Sequence, residues 1–190
     1  MAQVDLKELV SLIRKLSYRE GHFILSSGKE SKFYVDLKNV TLHPKGARYV
    51  AELGWQKLSQ QGMRPDHFSG VGGPTLGADP MATAFSLQAD QLGVELPAFI
   101  IRKEPKKHGT SQWIEGRDLL DLQKPLLLVE DVVTTGASSI KSIEKIRAEG
   151  FKINTAFAVL DRCEGAREAL KKIDIELVTL TTIDEIANSR

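Results

Sequence analysis

The chain has 190 residues, enough for one domain with a sizeable core, and its 26 Lys and Arg nearly balance its 25 Asp and Glu, leaving a net charge of +1. This balance argues against binding of nucleic acid or a membrane surface through overall charge, and the chain has neither the apolar core of a signal peptide nor an apolar run near the ~18 residues that span a membrane. The single cysteine, Cys163, excludes an internal disulfide framework, so we expect one cytoplasmic domain over residues 1–190 in which Cys163 is a small, partly buried residue.

The N-terminal part of the chain changes from a helical to an extended pattern. Apolar residues at helical spacing predict an amphipathic helix over 4–16. The apolar runs 23–25 and 33–35 flank a Ser-Ser-Gly-Lys segment, which predicts a strand, a turn and a second strand. A helix is expected over 43–61, with Pro44 early in it. This hairpin does not belong to the alternation of strands and helices that follows it in the chain. We therefore expect the segment within 1–40 to form a small hood over the main sheet.

Strands and helices alternate in the rest of the chain. The expected strands cover 67–71, 98–101, 126–129, 154–160 and 175–180, and the expected helices cover 76–91, 138–149, 166–173 and 183–188. Residues 102–116 form a long polar connection between two strands. This alternation predicts an α/β fold with a doubly wound, mostly parallel sheet and helices on both faces.

The most informative segment is PLLLVEDVVTTGASS, residues 125–139. Its apolar run predicts a strand buried on both faces, which places Glu130 and Asp131 at the carboxyl end, where open α/β sheets bind ligands. The Thr-Thr-Gly loop that follows offers backbone N–H groups and hydroxyls at the start of a helix, a typical anion site. The pattern therefore predicts a cradle for a sugar phosphate. The alternatives are a buried strand before an ordinary helix and a Walker B strand, although no G-x-x-x-x-G-K-[ST] sequence accompanies it.

A second segment, residues 102–109, carries four cations and a histidine against one carboxylate. Pro105 and Gly109 disfavour a continuous helix, so we expect a mobile basic loop over about 102–116. Such a loop beside a phosphate site can exclude water and place positive charge against a leaving group. The alternative is a solvated basic loop without a ligand.

Both segments resemble those of a known enzyme family. The acidic pair followed by TTG-A-S resembles the phosphoribosyl pyrophosphate (PRPP) motif of the type I phosphoribosyltransferases, and R-K-x-x-K-x-H-G resembles the catalytic loop of the orotate phosphoribosyltransferases. The resemblance extends over nearly the whole chain and implies the type I phosphoribosyltransferase fold with an N-terminal hood. The implied reaction transfers the 5-phosphoribosyl group from PRPP to orotate, giving orotidine 5′-monophosphate and pyrophosphate in de novo pyrimidine (UMP) biosynthesis.

The resemblance also implies the residues that bind PRPP. They come from the basic loop and from the end of the acidic strand: Arg102, Lys103, Lys106, His108, Glu130, Asp131, Val132, Val133, Thr134, Thr135, Gly136, Ala137 and Ser138. Lys106, His108 and Asp131 are the implied catalytic residues, with Lys106 stabilising charge and His108 donating to the leaving oxygens. Mg²⁺ is the implied cofactor, bound mainly through PRPP with Glu130 and Asp131 nearby and no protein cage. The basic loop is implied to act in the neighbouring subunit of a homodimer.

The orotate site is implied to consist of Ser26, Tyr34, Thr134 and Arg162, with the Arg162 guanidinium gripping the orotate carboxylate. Two alternatives stay open: a strand-end ion pair of Arg162 with Asp161 or Glu164, and packing of Tyr34 in a small satellite core, the role we expect for Phe33.

Some positions depart from the family pattern. Ser26 and the pair Thr75-Leu76 stand where some relatives carry lysine, and Gln112-Trp113-Ile114 replaces a glycine-richer stretch, which predicts a stiffer loop or an apolar docking site for Trp113. The glycines of 70–73 indicate either close approach to the pyrophosphate or a plain connection. Two rival functions remain: the same fold acting on a purine, which the Arg162 grip disfavours, and a non-catalytic nucleic-acid-binding regulator, which the balanced charge disfavours.

Overall fold

The computed structural model describes residues 4–24, 30–105 and 112–189. Its centre is a six-stranded sheet of β3 (Gly70–Pro74), β4 (Ala98–Ile101), β5 (Ile114–Glu115), β6 (Leu126–Val133), β7 (Ile153–Asp161) and β8 (Glu176–Thr182), in the order β5-β4-β3-β6-β7-β8. The short β5 runs antiparallel to β4, and the other strands are parallel. The connections leave β3 and β6 in opposite directions, which makes their carboxyl ends a topological switch point where such sheets bind ligands.

The helices are α1 (Leu6–Leu16), α2 (Lys38–Thr41), α3 (Pro44–Ser59), α4 (Asp79–Gln91), α5 (Ala137–Ala148), α6 (Ala166–Lys171) and α7 (Ile183–Asn188). Two short 3₁₀ turns cover Pro65–His67 and Arg117–Leu119. None of the helices in the described ranges is long and apolar enough to cross a membrane.

Strand β6 is buried on both faces, as its unbroken apolar run predicts. Leu127 and Val129 belong to the core beneath α3 and α4, and Leu126 and Leu128 belong to the core beneath α5 and α6. All four side chains have no exposed surface. Full burial on both faces fixes the register of β6, and this register in turn fixes the positions of Glu130 and Asp131 near its end.

The hood is a separate two-stranded antiparallel hairpin of β1 (Tyr18–Ile24) and β2 (Glu30–Val35). It follows α1, whose Arg14 donates hydrogen bonds to the carbonyls of Ile186 and Ala187 in α7 at 2.6 and 3.0 Å. The expected separate hood is confirmed. The first strand begins at Tyr18, well before the expected residue 23, because its polar residues pair with β2 without an apolar pattern of their own.

The prediction for β3 was wrong in position. The strand expected over 67–71 spans Gly70–Pro74 instead and therefore includes Gly72 and Gly73. The glycines are required by packing between strands, since a Cβ on Gly72 would lie 2.0 Å from the Phe99 carbonyl oxygen and one on Gly73 would lie 2.1 Å from that of Val129. Their small size thus serves the sheet, and the loop that can face a ligand starts at Thr75.

Cys163 also differs from its prediction. It is exposed and takes a positive φ of 57° in the turn after β7, where its N–H binds the Asp161 carboxylate at 2.8 Å. The turn carries this side chain away from the core, so the expected partial burial was wrong.

Candidate active site

The carboxyl half of β6 carries the acidic pair. Strand pairing with β7 continues to Val133, so Glu130 and Asp131 lie in the last part of the strand rather than after it. Side chains alternate along a strand, so the two carboxylates point to opposite faces of the sheet. Glu130 faces α5, while Asp131 faces the loop after β3 and Lys38 of α2.

Glu130 is 7% exposed and is held by two serine hydroxyls of α5. Ser139 Oγ donates to its Oε1 at 2.5 Å, and Ser138 Oγ donates to Oε2 at 3.1 Å and more weakly to Oε1 at 3.4 Å. Burial raises the pKa of Glu130 to about 7, although the two hydroxyls favour the charged form. The carboxylate is therefore a preorganised acceptor with little contact with bulk water.

Asp131 is bordered by the loop after β3 and by the charged residues Asp36 and Lys38 at the start of α2. Its Oδ1 accepts the N–H of Val132 at 2.9 Å, and a Cβ on Gly77 would lie 2.7 Å from the same oxygen. Burial raises the pKa of Asp131, while the Val132 N–H and the positive charge of Lys38 act in the opposite direction. The loop after β3 thus approaches the end of β6 at this carboxylate.

Lys38 is a site neighbour that the sequence reasoning missed. Its Nζ lies 2.7 Å from Asp36 Oδ1, which also accepts the Lys38 N–H at 3.1 Å. The hydrogen bond to Asp36 raises the pKa of Lys38, and the charge of Asp131 acts in the same direction. Asp36 therefore holds both the backbone and the side chain of Lys38 at the start of α2. In the sequence, only the cluster of charged residues just after the hairpin could have indicated Lys38 as a neighbour of the site.

The loop from Thr134 to Gly136 leads directly into α5. Gly136 adopts a φ of +81°, and the Thr134 carbonyl accepts the Ala166 N–H at 3.1 Å, which anchors the turn. Thr135, Ala137 and Ser138 are exposed at the helix start. This arrangement leaves backbone N–H groups and the positive end of a 12-residue helix available to an anion.

The residues of the predicted sugar-phosphate cradle differ in burial and in the direction of their side chains. Val133 is buried in the core, and its carbonyl accepts the Arg162 N–H at 2.9 Å, so its side chain does not face the loop. Val132 is partly buried and packs against the core beneath α3 and α4. The hydroxyl of Ser138, a residue implied to bind PRPP, donates to Glu130, and the implied binding of PRPP stays a prediction.

Arg102 and Lys103 stand at the start of the basic loop. The Arg102 guanidinium pairs with Glu115 of β5, and the Lys103 side chain is exposed. At the far side of the loop Trp113 packs on the core beneath α5, which is the apolar docking site, one of the two alternatives that the sequence left open. Lys106, His108 and Ser26 lie outside the described residues, and their expected roles stay predictions.

Arg162 lies between the strand end and the hood. Its Nε is 3.1 Å from Glu164 Oε1, so the ion pair that the sequence left open is present, although the Nε–H is not aligned for a hydrogen bond. Its guanidinium carbon also lies 5.2 Å from the Phe33 ring centroid. This contact ties Arg162 to β2, the strand that carries Tyr34.

Tyr34 and Phe33 have different environments, as expected. Phe33 packs against the core and stacks on Tyr18 with ring centroids 6.2 Å apart. Tyr34 remains 44% exposed, with its ring centroid 5.7 Å from that of Phe23. The hood therefore presents an aromatic face at Tyr34. The satellite core expected for Phe33 was wrong, because this side chain packs against the main core beneath α3 and α4.

No group of three or more His, Cys, Asp or Glu side chains within residues 4–24, 30–105 and 112–189 has the spacing of a metal cage. The acidic pair can instead contact a hydrated Mg²⁺ that is held mainly by phosphate oxygens. The donor set fits that kind of site, because oxygen ligands are the ones that Mg²⁺ prefers.

Comparison with known proteins extends these observations to the whole chain. No protein-family model matches it. The orotate phosphoribosyltransferase of Pyrococcus furiosus is 40% identical over 181 residues, covering 95% of this chain and 94% of that protein. The orotate phosphoribosyltransferase of Aquifex aeolicus is 38% identical over 189 residues, covering 98% of this chain and 100% of that protein.

Comparison with solved structures also finds phosphoribosyltransferases. Orotate phosphoribosyltransferase of Mycobacterium tuberculosis in complex with Fe(III) dicitrate superposes with a TM-score of 0.80 at 34% identity, covering 96% of this chain and 99% of that one. The same enzyme in complex with PRPP gives 0.76 at 31% identity, with 97% and 99% covered. Adenine phosphoribosyltransferase of Trypanosoma brucei, at 14% identity and a TM-score of 0.64, covers 93% of this chain and 79% of that one and shares the fold. The type I phosphoribosyltransferase fold is thus confirmed, and the chain belongs to the orotate phosphoribosyltransferase family.

Proposed function

We propose that this chain transfers the 5-phosphoribosyl group of PRPP to orotate, forming orotidine 5′-monophosphate and pyrophosphate, the phosphoribosyl step of UMP synthesis. The observation that carries the proposal is the arrangement at the end of β6. A buried, hydrogen-bonded Glu130 and a neighbouring Asp131 lie directly before the loop that opens α5. Carboxylates accept hydroxyl groups and a helix start accepts a phosphate, which are the two ends of a ribose 5-phosphate.

The protein contributes mainly position and charge, because the transfer requires no side-chain nucleophile. Glu130 and Asp131 accept the ribose hydroxyls, and the backbone of 134–138 holds the 5′-phosphate. Arg102, Lys103, Lys106 and His108 stabilise negative charge on the departing pyrophosphate. Arg162 binds the orotate carboxylate and Tyr34 covers the ring, with Thr134 and Ser26 contacting its edge. The orotate nitrogen bonds to the anomeric carbon as the bond to pyrophosphate breaks.

We propose Mg²⁺ as the cofactor. When bound with PRPP, this ion would supply positive charge that stabilises the pyrophosphate leaving group. Glu130 and Asp131 are the residues of this chain that would contact its hydration shell. Removing Mg²⁺ with a chelator should abolish turnover, and adding Mg²⁺ back should restore it.

The activity is tested by following the absorbance of orotate after mixing the protein with orotate, PRPP and Mg²⁺. Adenine, guanine and hypoxanthine serve as control bases under the same conditions. Loss of orotate that requires both PRPP and Mg²⁺ supports the proposal. Consumption of a purine instead overturns the role of Arg162, and PRPP binding without turnover of any base favours the regulator.

We further propose a cytoplasmic homodimer in which the basic loop of one subunit acts in the site of its partner. Support comes from the family resemblance of R-K-x-x-K-x-H-G, and an exposed Cys163 thiol suits a reducing compartment. Subunits with Lys106→Ala and subunits with Asp131→Asn should each be inactive and should partly recover activity when mixed, because one hybrid site regains both residues. Verified heterodimers that stay inactive would show that each loop serves its own subunit.

A further inference from the structure

We propose that Ser139 is a positioning residue for PRPP, acting through Glu130. The inference rests on the proposed function and adds a residue to the implied PRPP-binding residues, the last of which is Ser138. Ser139 has no exposed surface, so its hydroxyl is not available to a ligand. That hydroxyl donates to Glu130 Oε1 at 2.5 Å, the shortest of the three contacts that the two serines make with this carboxylate.

The contact joins the two parts of the sugar-phosphate cradle. Glu130 lies on β6 and would accept a ribose hydroxyl, while Ser139 lies in the first turn of α5, the helix whose start would hold the 5′-phosphate. A hydrogen bond between them fixes the carboxylate relative to the helix start. Because ribose hydroxyl and phosphate are separated by a fixed covalent framework, the spacing of their acceptors determines how well PRPP fits.

Ser138 and Ser139 are not equivalent in this role. Ser138 is exposed at the helix start, so its hydroxyl can exchange Glu130 for a phosphate oxygen when a ligand enters. Ser139 has no such alternative, because it is enclosed by the protein. Glu130 therefore retains the Ser139 hydrogen bond in both the free and the bound state, and this bond keeps the buried carboxylate oriented.

Ser139→Ala and Ser139→Cys test the proposal. Alanine removes the hydroxyl, and cysteine keeps the volume but donates a much weaker hydrogen bond, so the pair separates bonding from packing. We expect the KM for PRPP to rise about tenfold in both variants, with the KM for orotate within about twofold of the original value. The matched control is Ser142→Ala, a buried serine one turn further along α5, which should leave both KM values unchanged.

Direct binding of PRPP, measured by titration calorimetry in the presence of Mg²⁺, keeps this test separate from the identity of the base. If the protein binds PRPP but turns over a purine, the proposed function fails while the effect of Ser139→Ala on PRPP affinity is still measured. Unchanged PRPP affinity in the folded Ser139 variants overturns the proposal. An equal rise of both KM values, or the same loss in Ser142→Ala, also overturns it by indicating a general structural role.

A double-variant comparison tests whether Ser139 acts through Glu130. In a Glu130→Ala background, Ser139→Ala should cause no further loss of PRPP affinity, because the group that it orients is already gone. An additional loss of the same size as in the original protein would mean that Ser139 acts independently of Glu130. Circular dichroism spectra and melting curves of all variants identify those that fold.

Discussion

The side-chain nitrogen of Lys145 lies 4.0 Å from the centroid of the Trp113 ring and 2.9 Å from the carbonyl oxygen of Arg102. The Arg102 N–H in turn donates to the Trp113 carbonyl at 2.9 Å. One lysine of α5 therefore holds the residues on both sides of the basic loop. The helix that opens at the phosphate-binding turn is also the helix on which the loop is anchored.

Lys145→Met should loosen this anchor. Methionine retains a long apolar side chain but loses the cation–π contact and the hydrogen bond to Arg102, a cost of roughly 1–2 kcal/mol in stability. We expect a fall in melting temperature and a several-fold loss of kcat, with little change in the KM for orotate. Lys141→Met, an exposed position on the same helix, is the control. The same losses in both variants would attribute them to the helix charge rather than to the Trp113 contact.

Gly77→Ala should disturb Asp131 without unfolding the protein. The added Cβ would lie 2.7 Å from Asp131 Oδ1, a clash that the carboxylate can relieve by rotating away. We expect PRPP affinity to fall about tenfold, measured by calorimetry, with a change in melting temperature of only a few degrees. Gly93→Ala provides the opposite control: its Cβ meets nothing within 4 Å, but its φ of +81° is unfavourable for alanine, so stability should fall while PRPP affinity stays. Unchanged PRPP affinity in Gly77→Ala would count against the role of Asp131.

Because Arg162 pairs with Glu164, substitutions at these two positions should change the KM for orotate in different ways. Arg162→Ala removes the group that would bind the orotate carboxylate, so the KM for orotate should rise by about tenfold or more while the KM for PRPP changes little. Glu164→Gln removes a carboxylate 3.1 Å from Arg162 Nε that competes for the same guanidinium, so the KM for orotate should fall or stay constant. Steady-state kinetics with each substrate varied in turn distinguishes these outcomes. Equal rises in both KM values for Arg162→Ala would mean that the residue only joins the hood to β7.

The sequence predicted those parts of the site that local patterns determine. The run Leu126–Val129 predicted a buried strand, and the small residues after Asp131 predicted the turn into α5, because each pattern favours one conformation on its own. Burial of Glu130 and its bond to Ser139 were not predictable, since they depend on how α5 packs against β6. The carboxylate alone indicated a ligand, not its own hydrogen-bond partners.

Tertiary pairing explains the other differences. Gly72 and Gly73 favour a turn by local preference, yet they extend β3 because the neighbouring backbones approach too closely for any side chain. Lys38 escaped prediction because α2 has only four residues and no apolar period. Its proximity to Asp131 arises only when α2 comes near the end of β6, and these two elements are distant along the chain.

Glu130 makes the unfolding free energy of the protein depend on pH, and the substitution Glu130→Gln should remove this dependence. Burial raises the pKa of Glu130 from its ordinary 4.5 to about 7, so the native state binds its proton more tightly than the unfolded state does. The stability that this proton contributes is fully present below about pH 4.5 and is lost as the pH rises through about 7.

Glu130→Gln should therefore match the original protein near pH 4.5 and exceed its unfolding free energy by roughly 3 kcal/mol at pH 8, while losing PRPP affinity. Urea unfolding at both pH values measures this difference. Glu185→Gln is the control of opposite sign, because the Thr182 N–H lowers the pKa of Glu185 and its removal should cost stability at pH 8. A Glu130→Gln gain that is equal at both pH values would mean that it comes from packing rather than from the buried charge.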